Sequence, residues 1–262
     1  MSSTDRELFF RMEFWKEATH QSKGYEDESL INSYVESLRQ NPPWKRKDNL
    51  YFTNREIELT CVIHNALAFS PPTASTTNVR VLDFGGGNGY LGVAVRHMVP
   101  RVNWEWLVIE SNACVREYSQ FENEASIKWI SDENFDWKST SKIGLVSCTL
   151  QYLEYPEKTL RKIAKSCDFI ILMRLPFVDS ISHILTRQTF YEGLHQVPDA
   201  SWPHWFFSRH RLFDLITDIG DVIYQWKTPT ESYIFEGNTI FLEGVLIKTH
   251  TNIKSISKGV TT

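Results

Sequence analysis

The chain has no apolar run approaching the ~20 residues that a membrane-spanning helix needs, and its charged first dozen residues lack the apolar core of a signal peptide. It also has no basic stripe. Its 28 Lys and Arg are scattered among 32 Asp and Glu for a net charge of −4, which argues against a nucleic-acid surface. Cys61, Cys114, Cys148 and Cys167 stand far apart with no C-x-x-C pair, so free, buried thiols are expected, not disulfides or a zinc centre. No sequence repeat is present. These absences leave a soluble, cytoplasmic protein whose partners are small molecules. At 262 residues and 42% hydrophobic content, one α/β domain with appendages fits.

What is present centres on residues 81–89, Val-Leu-Asp-Phe-Gly-Gly-Gly-Asn-Gly. Val79, Val81 and Leu82 form a buried strand that stops at Asp83. Gly85, Gly86, Gly87 and Gly89 follow, and Leu91 to Met98 suits a helix. A strand feeding such a turn leaves free N–H groups and a positive helix end beside a ligand. An acid at the strand end repels a pyrophosphate but suits an ammonium group. S-adenosylmethionine has that group and a carboxylate, and no phosphate. A second apolar strand, Trp104 to Ile109, closes at Glu110, where an acid can accept bonds from ribose hydroxyls; Ser111 beside it equally suits a plain helix start. Asp132, after Ile127 to Ile130, lies where a third strand ends, either near an adenine amino group or in a surface turn.

Residues 1–70 read as an N-terminal helical extension or lid. Two helices are expected within 5–40, with Phe9, Phe10, Phe14 and Trp15 as an aromatic stripe, and Pro42-Pro43 breaks the pattern. A helix from Asn54 to Phe69 is expected to bury Ile57, Cys61, His64 and Leu67. Residues 71–78 are a linker by composition, and 79–250 form the cofactor domain. In it, Ile143 to Leu150 is a fourth strand, Pro156 opens a helix to Lys165, and Phe169 to Met173 is a fifth strand. The pattern loosens into an insertion over 177–207. Ser208 caps a helix that Gly220 ends, and Val222 to Trp226 and Thr239 to Ile247 form a closing pair of strands joined by a polar loop. Residues 251–262 read as a flexible tail.

Strand, D-x-G-x-G-x-G turn, second-strand acid and final hairpin together resemble a class I S-adenosylmethionine-dependent methyltransferase, which implies a Rossmann-like α/β sheet. Ser147-Cys-Thr-Leu-Gln-Tyr-Leu153, Arg174-Leu-Pro-Phe177, Gln188 and Trp202-Pro-His-Trp-Phe-Phe-Ser208 further resemble a family of small bacterial methyltransferase-like proteins associated with surface-polysaccharide assembly. That resemblance implies methylation of a sugar or glycan hydroxyl. The chain departs from it at Gly144, where an aspartate is usual, and at Leu175, where a small polar residue is common.

Methyl transfer from a sulfonium needs placement more than covalent help, and a positioned base deprotonates the hydroxyl. His204, inside the W-P-x-W-F-F-S block, is the first candidate base; Asp179, His183 and His195 are the others. Gln151 and Tyr152, after the fourth strand, suit contact with the sulfonium region or the acceptor. Arg174 offers a fork for an anionic group or a salt bridge to a nearby acid. Gln188, Trp202 and Trp205 are expected on the acceptor side, and Phe206 and Phe207 in the core. The alternatives are a nicotinamide-dependent oxidoreductase on a similar sheet and a binding module that has lost catalysis.

Overall fold

The structure, a computed structural model, describes residues 7–20, 22, 27–45, 52–69, 78–190 and 201–250. His195 and the 71–77 and 251–262 segments lie outside the described residues. The elements in chain order begin with β1 (Glu7–Arg11), α1 (Trp15–His20), α2 (Glu28–Gln40) and α3 (Asn54–Ala68). Then come β2 (Asn78–Phe84), α4 (Tyr90–Met98), β3 (Asn103–Glu110), α5 (Asn112–Tyr118), α6 (Glu122–Ala125) and β4 (Lys128–Ser131). The second half holds β5 (Ser141–Ser147), α7 (Pro156–Ala164), β6 (Cys167–Val178), β7 (Ile184–Phe190), β8 (Ser201–Ser208), α8 (Arg209–Ile219), β9 (Gly220–Phe235) and β10 (Asn238–Thr249).

Strands β4-β3-β2-β5-β6 lie side by side and parallel, and β10 pairs antiparallel with β6 and with β9. The order reverses between β2 and β5, so the crevice at their carboxyl ends is where an open α/β sheet holds its ligand. Both faces are covered, which explains the near-continuous apolar runs. Val81, Ile143, Leu145 and Ile171 meet Leu59, Val62 and Ile63 of α3 on one face. Leu82, Val146, Ile170 and Leu172 meet Leu160 of α7 and Leu212, Leu215 and Ile216 of α8 on the other. Local signals set the helix ends: Pro156 sits in the first turn of α7, and the Ser208 hydroxyl accepts the Arg211 N–H at the start of α8.

β6 is twelve residues long and outruns β5, whose last partner on it is Met173. The excess carries a second set of strands. Phe177 and Val178 pair with β8, β8 pairs antiparallel with β7, and β7 with β1.

Several sequence expectations are corrected here. Residues 7–11 form an edge strand and not a helix, because Leu-Phe-Phe finds a partner in β7. The 177–207 stretch is strand at both ends and not a loosened insertion. In α3 the buried face is Leu59, Val62, Ile63 and Ala66; Ile57, Cys61 and His64 face solvent, since the richer of two possible apolar stripes wins. Gly220 is extended at φ 179°, and what demands glycine there is space: a Cβ would lie 2.4 Å from the Lys248 carbonyl. The expected polar loop after Trp226 is strand to Phe235, turning at Glu236 and Gly237, both left-handed as a two-residue hairpin requires.

Gly144 is in the core of β5 against α7, where a Cβ would meet Ile163 at 2.7 Å and the Cys167 sulfur at 2.9 Å. Local packing thus excludes the usual aspartate. Gly144→Asp should cost at least about 2 kcal/mol through overpacking and a buried carboxyl. Urea denaturation with an unchanged midpoint would contradict this packing.

Candidate active site at the strand carboxyl ends

The turn after β2 is built from left-handed glycines: Gly85 at φ 69°, Gly87 at 55° and Gly89 at 72°. Their side-chain space differs. A Cβ on Gly85 would strike Thr149, which follows β5, at 2.2 Å, whereas one on Gly87 meets nothing within 4 Å. Gly85 is therefore glycine for packing, and Gly87 borders open space. The turn is anchored on three sides. The Gly85 N–H donates to the Ile109 carbonyl at 2.8 Å, the Thr149 hydroxyl donates to the Gly85 carbonyl at 3.2 Å, and the Trp129 indole donates to the Gly87 carbonyl at 2.8 Å.

Glu110, closing β3, accepts the Gly87 N–H at 2.9 Å through Oε1 and the Ser111 N–H at 3.1 Å through Oε2. It is half-buried. Burial raises its pKa, and the two N–H groups oppose the rise. The carboxylate that the sequence assigns to a ribose thus lies against the turn.

Asp83 is fully buried directly beneath Gly86, where an added Cβ would come within 2.4 Å of its carboxyl group. The Trp106 indole donates to Oδ2 at 3.0 Å, and Oδ1 has no partner among the described residues. Burial pushes the Asp83 pKa up to about 7, against the Trp106 bond and with a smaller push from the Glu110 charge. Asp132, by contrast, is exposed, and Lys162 holds its carboxylate at 2.5 Å.

The acceptor-side residues divide between the two faces of β8. Tyr152 and Trp202 both donate to Gln188 Oε1, at 2.9 and 3.0 Å. His204 lies on the same face, its ring 5.3 Å from Tyr152 and from Tyr233, 5.0 Å from Phe9 and 4.8 Å from Phe206. It is fully buried, and neither ring nitrogen has a partner among the described residues. Burial drops its pKa to about 3, so the ring is neutral and a poor proton acceptor near neutral pH. Gln151 is likewise buried. Its Nε2 donates to the Arg174 carbonyl at 3.3 Å and to the Cys148 sulfur at 3.2 Å, while Oε1 has no partner among the described residues. Each such orphan costs roughly 1–3 kcal/mol.

Trp205 occupies the opposite face, donating to the Leu153 carbonyl at 3.0 Å and stacked on Trp15 of α1. His183 is on that side too, accepting the Ser208 N–H at 3.0 Å, and Asp179 is exposed. The fold therefore does not gather His204, His183 and Asp179, the candidate bases among the described residues. Phe206 and Phe207 are buried.

Sequence reading missed a charge cluster made by two bulges. Between Leu172 and Leu175, β6 carries an extra residue against β10, and Arg174 sits there at φ 62°. Between Thr228 and Ser232, β9 bulges and brings Glu231 to Arg174 Nε at 2.5 Å and Arg55 Nη2 at 2.8 Å. Arg174 takes the salt-bridge alternative, and the pair holds the Glu231 carboxyl below its ordinary range. Pro229 within an apparent loop was the available signal, since proline in a strand marks a bulge. Cys148, also left-handed at φ 56°, lies beside them at the end of β5.

No protein-family profile and no curated protein matches the chain. Solved structures do. The N-terminal domain of EvdMO1, crystallised in the presence of SAH and D-fucose, matches with TM-score 0.50 at 13% identity, covering 87% of this chain and 100% of that one. A S-adenosylmethionine-dependent methyltransferase from Clostridium acetobutylicum ATCC 824 matches with TM-score 0.52 at 10% identity over 83% and 98%. The CcbJ methyltransferase from Streptomyces caelestis matches with TM-score 0.52 at 8% identity over 85% and 99%.

Between pH ~4 and ~7 the folded chain, but not the unfolded one, keeps the Asp83 proton, so this group lowers stability as pH rises across that window. The stability gain of Asp83→Asn over the native chain should be larger at pH about 7.5 than at about 4.5. Equal gains in chemical denaturation at both values would remove Asp83 as a buried, raised carboxyl. The chain has the Rossmann-like α/β fold of class I methyltransferases.

Proposed function

We propose that the chain is a S-adenosylmethionine-dependent methyltransferase acting on a hydroxyl of a sugar or related small molecule. One observation carries the reading: at the switch point, Glu110 of the neighbouring strand holds the Gly87 N–H of a glycine turn that is open at Gly87. Glu110 would hold the cofactor's ribose hydroxyls, and the Gly85 to Gly87 backbone its amino-acid end. Asp83 supports the turn from below, and its unpartnered Oδ1 suits an ammonium group. Asp132 is left to Lys162. Gln151, just past β5, carries a buried oxygen with no partner among the described residues and would face the sulfonium region.

The sulfonium supplies the electrophile; the protein supplies placement, worth effective molarities of about 10⁵–10⁸ M. Tyr152, Gln188, Trp202 and His204 form the acceptor side, with the N-terminal helices as its lid. Support for the lid comes from packing: Leu30 and Tyr34 of α2 lie in one cluster with Trp202 and Tyr152. The methyltransferase-like neighbours support the reaction class, and the SAH and D-fucose in the EvdMO1 crystals support the cofactor and a sugar-like acceptor. Gly87-x-Gly89-x-x-Gly92 has the dinucleotide spacing, but the acid Asp83 at the strand end repels a pyrophosphate and weighs against a nicotinamide cofactor.

Calorimetry should show saturable binding of S-adenosylmethionine and none of NAD. Glu110→Ala should weaken that binding tenfold or more, through loss of roughly 1.5–3 kcal/mol of charged hydrogen bonding. Gly87→Val, whose Cβ meets no atom within 4 Å but whose branched side chain is strained at φ 55°, should abolish it. Native affinity in both folded variants would move the cofactor elsewhere.

A further inference from the structure

We infer that the Gln188–His204 face of β7 and β8 binds an uncharged, hydroxyl-rich group of the acceptor, held by neutral hydrogen bonds and aromatic walls with no ion pair. The inference rests on the methyl-transfer reading and names the acceptor's chemistry. Register places the residues together: Thr186 faces His204 and Gln188 faces Trp202 across the antiparallel pair, so all four share one side of the two strands. Gln188 is 1% exposed and His204 0%.

The amide orientation of Gln188 is fixed by chemistry. The Trp202 indole can only donate, and it points at the same atom as the Tyr152 hydroxyl, so that atom is the oxygen. Among the described residues the Gln188 Nε2 donor is left without a partner, as are both nitrogens of His204. A neutral imidazole offers one donor and one acceptor. The unfilled set is therefore mixed, two kinds of donor and an acceptor, and a hydroxyl group, which donates and accepts at once, answers both. Neither a carboxylate nor a phosphate does, since each only accepts and would bring an unmatched charge against Phe9, Phe206 and Tyr233. Arg174, whose charge Tyr233 senses, is already paired with Glu231. Phe9 of the edge strand β1 covers His204, so the group would enter where β1 parts from β7.

A packing role and a binding role for His204 make opposite forecasts in one variant. His204→Phe keeps a ring among Phe9, Tyr152, Phe206 and Tyr233 and removes two unpartnered nitrogens, which stabilises a fold when shape is preserved. We titrate methyl glucoside, methyl mannoside, methyl galactoside and methyl rhamnoside, with glucuronate and galacturonate as charged counterparts, with and without S-adenosylhomocysteine. At least one neutral glycoside should saturate a single site, and the uronates should not compete. In His204→Phe, Tm should rise while glycoside affinity falls tenfold or more and S-adenosylhomocysteine affinity stays within twofold. Gln188→Glu, which keeps the oxygen that Tyr152 and Trp202 need but loses the free donor, should lose glycoside affinity likewise, and it decides the matter should His204→Phe not fold. Native glycoside affinity in the variants, preference for the uronates, or no saturation by any neutral glycoside overturns the inference. Failure of the native chain to bind S-adenosylhomocysteine overturns the methyl-transfer reading instead, and the titration without it still decides this face.

Discussion

β6 has to serve three partners at once, and the rest of the architecture follows from how it does so. Its first half completes the parallel sheet beside β5 and takes β10 on its other edge. Its last residues leave β5 behind and take up β8. The strand passes from one duty to the other at Arg174, where an extra residue in left-handed conformation breaks the alternation. Such bulges re-aim a side chain and bend the strand. Here the re-aimed side chain meets Glu231, itself delivered by a bulge in β9, and that contact ties the hairpin and the start of α3 to the carboxyl edge of the sheet.

The two ends of the proposed site are built on different physics. The cofactor end is polar backbone held by charge. The Gly85–Gly89 turn is clamped between Thr149, Ile109 and Trp129, beside two carboxyl groups, Asp83 and Glu110, whose pKa values burial raises. The β7–β8 end is a neutral aromatic box that leaves hydrogen-bonding atoms unsatisfied. Buried polar atoms without partners are uncommon in folded proteins and call for an explanation; a ligand is one, and it gives the 177–207 segment a purpose beyond covering the sheet edge.

The parallel core was legible because its signals are local. Val79 to Gly89 and Trp104 to Glu110 each carry strand, stop and turn within one short stretch, and Pro156 and Ser208 mark their helices directly. The sheet of β1, β7 and β8 was not legible, since β1 and β8 are aromatic runs without clean alternation, β7 is mostly polar, and β1 lies far in sequence from its partner β7. In α3, two stripes compete, and only packing against β2 and β5 selects Leu59, Val62 and Ile63. Tyr152, Gln188, Trp202 and His204 were visible as unusual residues, but their union depends on the β7–β8 register. Arg55 and Glu231 gave no comparable signal: charged residues on a helix start and in an apparent loop look like solvated surface until two bulges bring them together.

A crystal structure of the chain with S-adenosylhomocysteine tests the central claim most directly. The account predicts the ribose hydroxyls on Glu110, the homocysteine end over Gly85 to Gly87, and the sulfur facing Gln151 at the entrance to the Tyr152–Gln188 cluster. A ligand bound away from the β2–β5 switch point, or one whose sulfur faces away from the carboxyl ends of β5 and β6, would contradict it.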